Sequence, residues 1–198
     1  MPDERHPSPQ PQAPQPQATQ PDNPQAANED RRRPVTLLQQ RGIEAEVLIP
    51  FIRRLEAELG EERALGIARE VIEEIARQQG RHVAESLGRD DLQGFRQVKD
   101  SWGGAGGDLA IETLREDDER LEFNVVGCRF AEMYRQMGAE DLGFILSCAR
   151  DFSLSEGYSG DLHLERTQTI MQGAAFCDFR YRLSHAPDNN PDPADTEA

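Results

Sequence analysis

The chain reads as an α+β protein in which N-terminal helices pack on a small antiparallel sheet of two hairpins, with further helices between the hairpins. Three observations lead there. Apolar residues recur every three or four positions as far as Trp102. From Leu109 to Val125 they alternate with polar neighbours, and the same change from helical to alternating period repeats between Cys128 and Leu183.

Leu48, Phe51, Ile52, Leu55 and Leu59 mark one helical face, preceded by a shorter apolar piece around Leu37, Leu38 and Ile43. Pro50 falls inside this pattern. Because proline is favoured in a first helical turn, the pattern predicts a new helix beginning near Ile49 and closed by Gly60. A second helix is predicted over 61–87, with Leu65, Ala68, Ile72, Ile75 and Val83 inward and Gly88 as its stop. Asp90 is placed to cap a third, through Leu92, Phe95 and Val98. The run from Gly103 to Gly107 is a flexible break, and it lacks the lysine and serine or threonine of a phosphate loop.

Leu109, Ile111 and Thr113, then Leu121, Phe123 and Val125, predict a hairpin around the polar run Glu116–Glu119. Helical spacing returns from Cys128 to Gly138 and from Asp141 to Phe152. A strand from Leu162 to Thr169, a turn at Gln172–Gly173 and a last strand from Phe176 to Leu183 complete the pattern.

Composition divides the chain further. Residues 1–34 are nearly all Pro, Gln, Ala, Asn and charge, with no apolar residue larger than alanine, prolines aside, after Met1, so they cannot bury enough surface to offset ordering and are expected to be disordered. Residues 186–198 are expected to fray likewise, leaving 35–185 as a single domain. No apolar stretch is long enough for a membrane span or a secretory signal, which points to a cytoplasmic location. A formal net charge of -15 opposes nucleic-acid binding, which needs basic residues to displace counterions from phosphates. The first helices offer a surface for a homo-oligomer. Cys128, Cys148 and Cys177 are odd in number and widely spaced, so reduced thiols are expected rather than a disulfide framework.

Reactive side chains concentrate between Cys128 and Tyr181. Cys128 and Glu132 share a helical face, as do Cys148 and Asp151. On the last strand Cys177 and Phe179 point one way, Asp178 and Arg180 the other, while Thr167 and Thr169 share a face of its partner. Thiols beside carboxylates suit hydrolytic chemistry or metal ligation. The competing readings are ordinary ones: free cysteine packs as a small hydrophobe, and helix-face acids are commonly solvated. The histidines, His82 and His163 included, stand among polar residues and add nothing to the pattern.

The strings FNVVGCRFAEMYRQMG, DLGFILSCARDFSLSEGY and LERTQTIMQGAAFCDFRY occur in this order over the last third of the chain. Together they resemble the L-2-amino-thiazoline-4-carboxylic acid hydrolase family, with a looser likeness from Thr36 to Trp102. The resemblance implies a bacterial hydrolase opening a 2-aminothiazoline ring to N-carbamoyl-L-cysteine. It implies site positions at Cys128, Cys148, Cys177, Glu132, Asp151, Thr167, Thr169 and Asp178, with Arg129, Arg166 or Arg180 facing the substrate carboxylate. Phe176 stands where the family wording commonly has a histidine. The final CDFRY is also similar to the end of 4-vinyl-reductase-like ligand-binding domains, implying a non-catalytic small-molecule-binding or sensor domain as the alternative. A divalent metal held by Cys128, Cys177 and carboxylates is compatible with either.

Overall fold

Thr36 opens the first helix with a reciprocal cap: its hydroxyl accepts from the Gln39 backbone N–H at 3.1 Å, and the Gln39 side chain accepts from the Thr36 N–H at 3.0 Å. The computed structural model describes residues 35–102 and 107–184; the two tails, and the glycine break apart from Gly107, lie outside the described residues. Helix α1 spans Leu37–Leu59 and runs unbroken through Pro50, so no new helix starts at Ile49. The buried positions Arg41, Ala45 and Ile52 form one stripe across the proline, whose ring stands on the exposed side. There the missing N–H costs one hydrogen bond while packing holds both halves in line.

Helix α2, Glu61–Leu87, ends at Gly88 in the left-handed conformation, φ 64°. Its buried stripe is Ala64, Ala68, Ile72, Ala76 and Gly80, made of smaller residues than the leucine and valine positions expected. Leu65 and Val83 are half-buried flankers of that stripe. Helix α3, Leu92–Trp102, is capped by Asp91 rather than Asp90: the Asp91 carboxylate accepts from the Gly94 N–H at 2.9 Å.

Strands β1 (Leu109–Glu116) and β2 (Arg120–Cys128) form the first hairpin, and the Asp117 carboxylate accepts from the Glu119 and Arg120 N–H groups at its turn. Helix α4 (Arg129–Gln136) begins directly at Cys128. Helix α5 (Glu140–Gly143) continues into one wide π-helical turn, Phe144–Cys148, and then α6 (Arg150–Tyr158). Strand β3 covers only Leu162–Glu165, and β4 covers Cys177–Leu183.

The sheet order is β1-β2-β4-β3, antiparallel throughout. Register places Leu121 opposite Tyr181, Phe123 opposite Phe179 and Val125 opposite Cys177, so both central strands turn the same alternate residues inward. These meet Leu92, Phe95, Val98 and Trp102 of α3 in one core. Phe123 stacks on Phe179 at 4.9 Å, and Phe95 meets Tyr181 at 4.8 Å. Such pairs contribute about 0.5–1.5 kcal/mol each beyond area burial, itself about 1.5–3 kcal/mol per large apolar side chain. A second cluster joins α1, α2, α4 and the α5 region through Ala45, Ile72, Tyr134, Leu142 and Leu146.

Helices α2 and α6 approach to backbone contact. A β-carbon on Gly80 would lie 2.2 Å from the Leu154 carbonyl oxygen, and one on Gly157 would lie 2.0 Å from that of Arg77. This close crossing brings the first turn of α6, with its reactive residues, beside the inner face of the sheet.

Candidate functional site

A cavity of about 750 Å³ opens between the inner sheet face, α2, α6 and the start of α1. Val125, Cys177 and Phe179 form its sheet wall. Cys128 enters from the β2–α4 junction, Cys148 from the π-helical turn, and Asp151 from α6. Five residues singled out in the sequence therefore line one space: Cys128, Cys148, Cys177, Asp151 and Arg166.

The thiols have separate structural duties. Cys128 caps α4, its sulfur accepting from the Ala131 N–H at 3.4 Å, and Cys177 sulfur accepts from the Ile170 N–H at 3.2 Å. Burial dominates their acidity. It pushes Cys177 up to about 11, raises Cys128 despite the two backbone N–H groups directed at it, and raises Cys148 well above the ordinary thiol value. All three are neutral thiols at pH 7.

Arg166 is 2% exposed at its side chain and donates to the Asp151 carboxylate at 2.5 Å and to the Cys148 carbonyl at 2.9 Å. Its guanidinium lies 4.9 Å from the Phe152 ring centroid and 5.0 Å from that of Phe179, a sandwich suited to its planar, weakly hydrated charge. Asp151 keeps 23% of its side-chain surface accessible. Burial raises its carboxyl above the usual range against the opposing pull of Arg166. Burial also works against the Arg166 charge, but Asp151 outweighs it and holds Arg166 protonated.

The structure does not bring the remaining candidates to this cavity. Glu132 and Arg129 are exposed on α4, Arg129 pairing with Asp108 at 3.1 Å. Thr169 is buried because it caps the 3-10 turn Ile170–Gln172, accepting from the Gln172 N–H at 3.2 Å. Arg180 projects from the opposite sheet face onto the Phe123 carbonyl and the Asn124 side chain, both at 2.9 Å. Phe176 is not among the residues that line the cavity.

Asp178 is a clamp: it accepts from the Thr167 N–H at 3.0 Å, the Thr167 hydroxyl at 2.6 Å and the Gln168 N–H at 2.9 Å. This clamp draws residues 166–169 out of the sheet, which is why β3 stops at Glu165 instead of reaching Thr169. Burial would raise the Asp178 carboxyl, but the hydrogen bonds prevail and hold it below the ordinary range. Asp178→Ala is expected to cost about 1–3 kcal/mol at neutral pH, since it leaves backbone donors unpaired. A depressed carboxyl stabilises the fold above its unfolded pKa and ceases to do so as pH falls through its folded value. Urea unfolding at several pH values should therefore show the gap between wild type and variant closing in acid. A gap independent of pH would contradict the clamp.

Several wall residues stand outside the site candidates read from the sequence. Arg41, Arg150, Trp102 and His82 all line the cavity. For Arg41 a signal existed, because it falls on the Ala45–Ile52 side of α1, where a solvated charge has no place. Among the described residues, no group of three or more His, Cys, Asp or Glu is arranged to hold a metal ion, so the geometry lends no support to the metal reading. Nor is any helix among them long and apolar enough to cross a membrane.

An α+β domain that encloses a cavity of this size, walled by apolar and aromatic side chains with a few convergent polar groups, has the form of a small-molecule-binding domain. The chain belongs to the L-2-amino-thiazoline-4-carboxylic acid hydrolase family, whose model matches residues 40–181. No curated protein matches the sequence. Among solved structures, the phenol-responsive sensory domain of the transcription activator PoxR with phenol is similar at 14% identity and a TM-score of 0.46, over 76% of each chain.

Proposed function

We propose that this chain is a hydrolase that opens the 2-aminothiazoline ring of L-2-amino-thiazoline-4-carboxylate to N-carbamoyl-L-cysteine, with Asp151 as the base. The observation that carries the reading is a partly exposed acid in a thiol-lined cavity, Asp151 held by Arg166 at 2.5 Å, in a chain of this family. In the substrate, C2 is bonded to sulfur and two nitrogens and is electrophilic. Water adds to C2 and gives a proton to Asp151. The C2–S bond then breaks, the electron pair leaves on sulfur, and Asp151 returns the proton to that thiolate. As the C2–oxygen double bond forms, the second water proton passes from the C2 hydroxyl to the ring nitrogen, which becomes the cysteine α-nitrogen, and C2 with its oxygen and the exocyclic amino nitrogen becomes the carbamoyl group. Water is preferred to Cys177 as nucleophile because a thiol near 11 is ionised only about one part in 10⁴ at pH 7.

Positioned general bases contribute about 10²–10⁴-fold, so Asp151→Asn is expected to lower kcat/KM by that factor while its amide oxygen still accepts from Arg166. The measurement is thiol release from 2-aminothiazoline-4-carboxylate, with Cys177→Ser retaining most of the wild-type rate. Because ionised Asp151 is the active form, the rate climbs as pH rises through its raised pKa. An asparagine variant as fast as wild type would remove Asp151 from the mechanism. The neutrality of all three thiols favours one other reading, a non-catalytic ligand-binding or sensor domain. Saturable binding with no thiol release under any condition would establish that reading instead.

A further inference from the structure

Arg150 sits at the start of α6 with its side chain only 6% exposed. Its Nε donates to the Leu146 carbonyl at 2.8 Å and one terminal nitrogen donates to Glu44 at 3.0 Å. The other terminal nitrogen, Nη1, is buried and has no hydrogen-bond partner. A buried donor left unpaired is costly, and guanidinium donors in folded proteins are nearly always engaged. Both Arg150 and Arg41 line the cavity.

The local charge is also incomplete. Arg41 is 7% exposed and donates to both Glu44 oxygens, at 3.0 and 2.8 Å. Glu44 thus serves two buried guanidinium groups, leaving one positive charge in excess beside the cavity. The strain is visible in Arg150: burial first, and then the nearby Arg41 charge, depress it to about 10. A chain of formal net charge -15 has gathered cations in the cavity wall.

We infer that Arg150, with Arg41 beside it, forms a carboxylate-recognising subsite in the cavity, the unpaired and buried Arg150 Nη1 turning into the cavity to donate to the ligand's carboxylate. This rests on the cavity being a ligand site but not on turnover. It also moves carboxylate recognition away from Arg166, whose terminal nitrogens already serve Asp151 and Cys148. Arg129 and Arg180 are likewise engaged elsewhere. The ligand class is a small heterocyclic or aromatic monocarboxylate, whose planar anion matches the guanidinium fork.

The test compares an unreactive pair of probes, thiazole-4-carboxylate and thiazole-4-carboxamide, by calorimetry with the full chain. Charged hydrogen bonds of this kind correspond to at least about tenfold in affinity, so the carboxylate is expected to bind that much tighter than the amide. Arg150→Met should bring the two affinities together without weakening the amide. Arg41→Met removes the excess charge while leaving Arg150 paired with Glu44, and it should shrink the preference as well. Equal or undetectable binding of both probes to wild type would overturn the subsite, as would a preference undiminished in either folded variant. A preference in a chain that never opens a thiazoline ring would sink the hydrolase reading and leave the subsite standing. Turnover without any preference would do the reverse.

Discussion

Replacing Gly80 or Gly157 with alanine is expected to lower the melting temperature by about 6–12 °C. At both positions the obstacle is backbone: the new β-carbon would meet the Leu154 carbonyl oxygen at 2.2 Å, or that of Arg77 at 2.0 Å. No rotamer change relieves such a contact, so α2 and α6 must separate. Overpacking costs about 1–3 kcal/mol and occasionally more, and the upper end applies where two helices must move together. Each kcal/mol corresponds to about 2–4 °C for a domain of this size. Gly66, also inside α2, is the internal control. Nothing lies within 4 Å of its would-be β-carbon, so Gly66→Ala should stabilise by about 0.5–1 kcal/mol through helix propensity. Thermal unfolding followed by circular dichroism reads both signs. Gly80→Ala and Gly157→Ala melting within about 2 °C of wild type would show that the helices do not cross as described.

The second large effect belongs to Arg166. Arg166→Ala removes the buried partner of a half-buried carboxylate and leaves space between Phe152 and Phe179. Breaking one side of such a pair costs about 3–5 kcal/mol. The pH dependence has a definite sign. Without Arg166, burial acts on Asp151 against only the weaker pull of Arg41 and Arg150, and its folded pKa rises further above the unfolded value. The folded variant is then relieved where Asp151 is protonated and penalised where it ionises, so its deficit against wild type widens from acid towards neutral pH. Denaturant titrations over that range test this. A double variant, Asp151→Leu with Arg166→Met, should regain much of the lost stability, because no charge is left buried alone. It should release no thiol. Failure of the double variant to exceed Arg166→Ala in stability would mean that Arg166 supports the fold through its stacking, not through the ion pair.

Much of the architecture was legible because it is written in local period. The alternation of Leu121, Phe123 and Val125 matches that of Cys177, Phe179 and Tyr181, and the two sets meet across the central strands. Helix α2 ended at Gly88 as its sequence implied. Pro50 misled because the penalty for proline is local, whereas the stripe of Arg41, Ala45 and Ile52 that overrides it is tertiary. The length of β3 misled for a related reason: Thr167 and Thr169 have strand-forming side chains, but Asp178, further along the chain, takes the backbone donors a longer strand would have used.

The cavity was legible only in part. Cys148 and Asp151 lie close enough in sequence for local spacing to group them, whereas Arg166, 15 residues further on, entered only as one of three arginines for the substrate carboxylate. Arg150 and Glu44 are 106 residues apart, and each alone looks like an ordinary solvated helix charge. Only the folded arrangement shows that one acid is divided between two arginines. Glu132 failed in the opposite sense. Four-residue spacing puts it near Cys128, yet Cys128 is the cap of α4 rather than a member of its face, so the shared-face argument did not apply.

Trp102 is the only tryptophan of the chain, and it stands in the cavity wall, edge-on to Phe95 at 6.0 Å and tilted against Phe179 at 6.1 Å. The protein thereby carries its own optical reporter. A single indole gives one emission band with no other tryptophan to dilute it, and any molecule that fills the cavity alters the polarity and quenching around that ring. Neutral thiols and a guanidinium already share its surroundings, so the unliganded emission is a baseline for occupancy. Ligands can therefore be screened without a label or a coupled enzyme, whatever reaction follows binding.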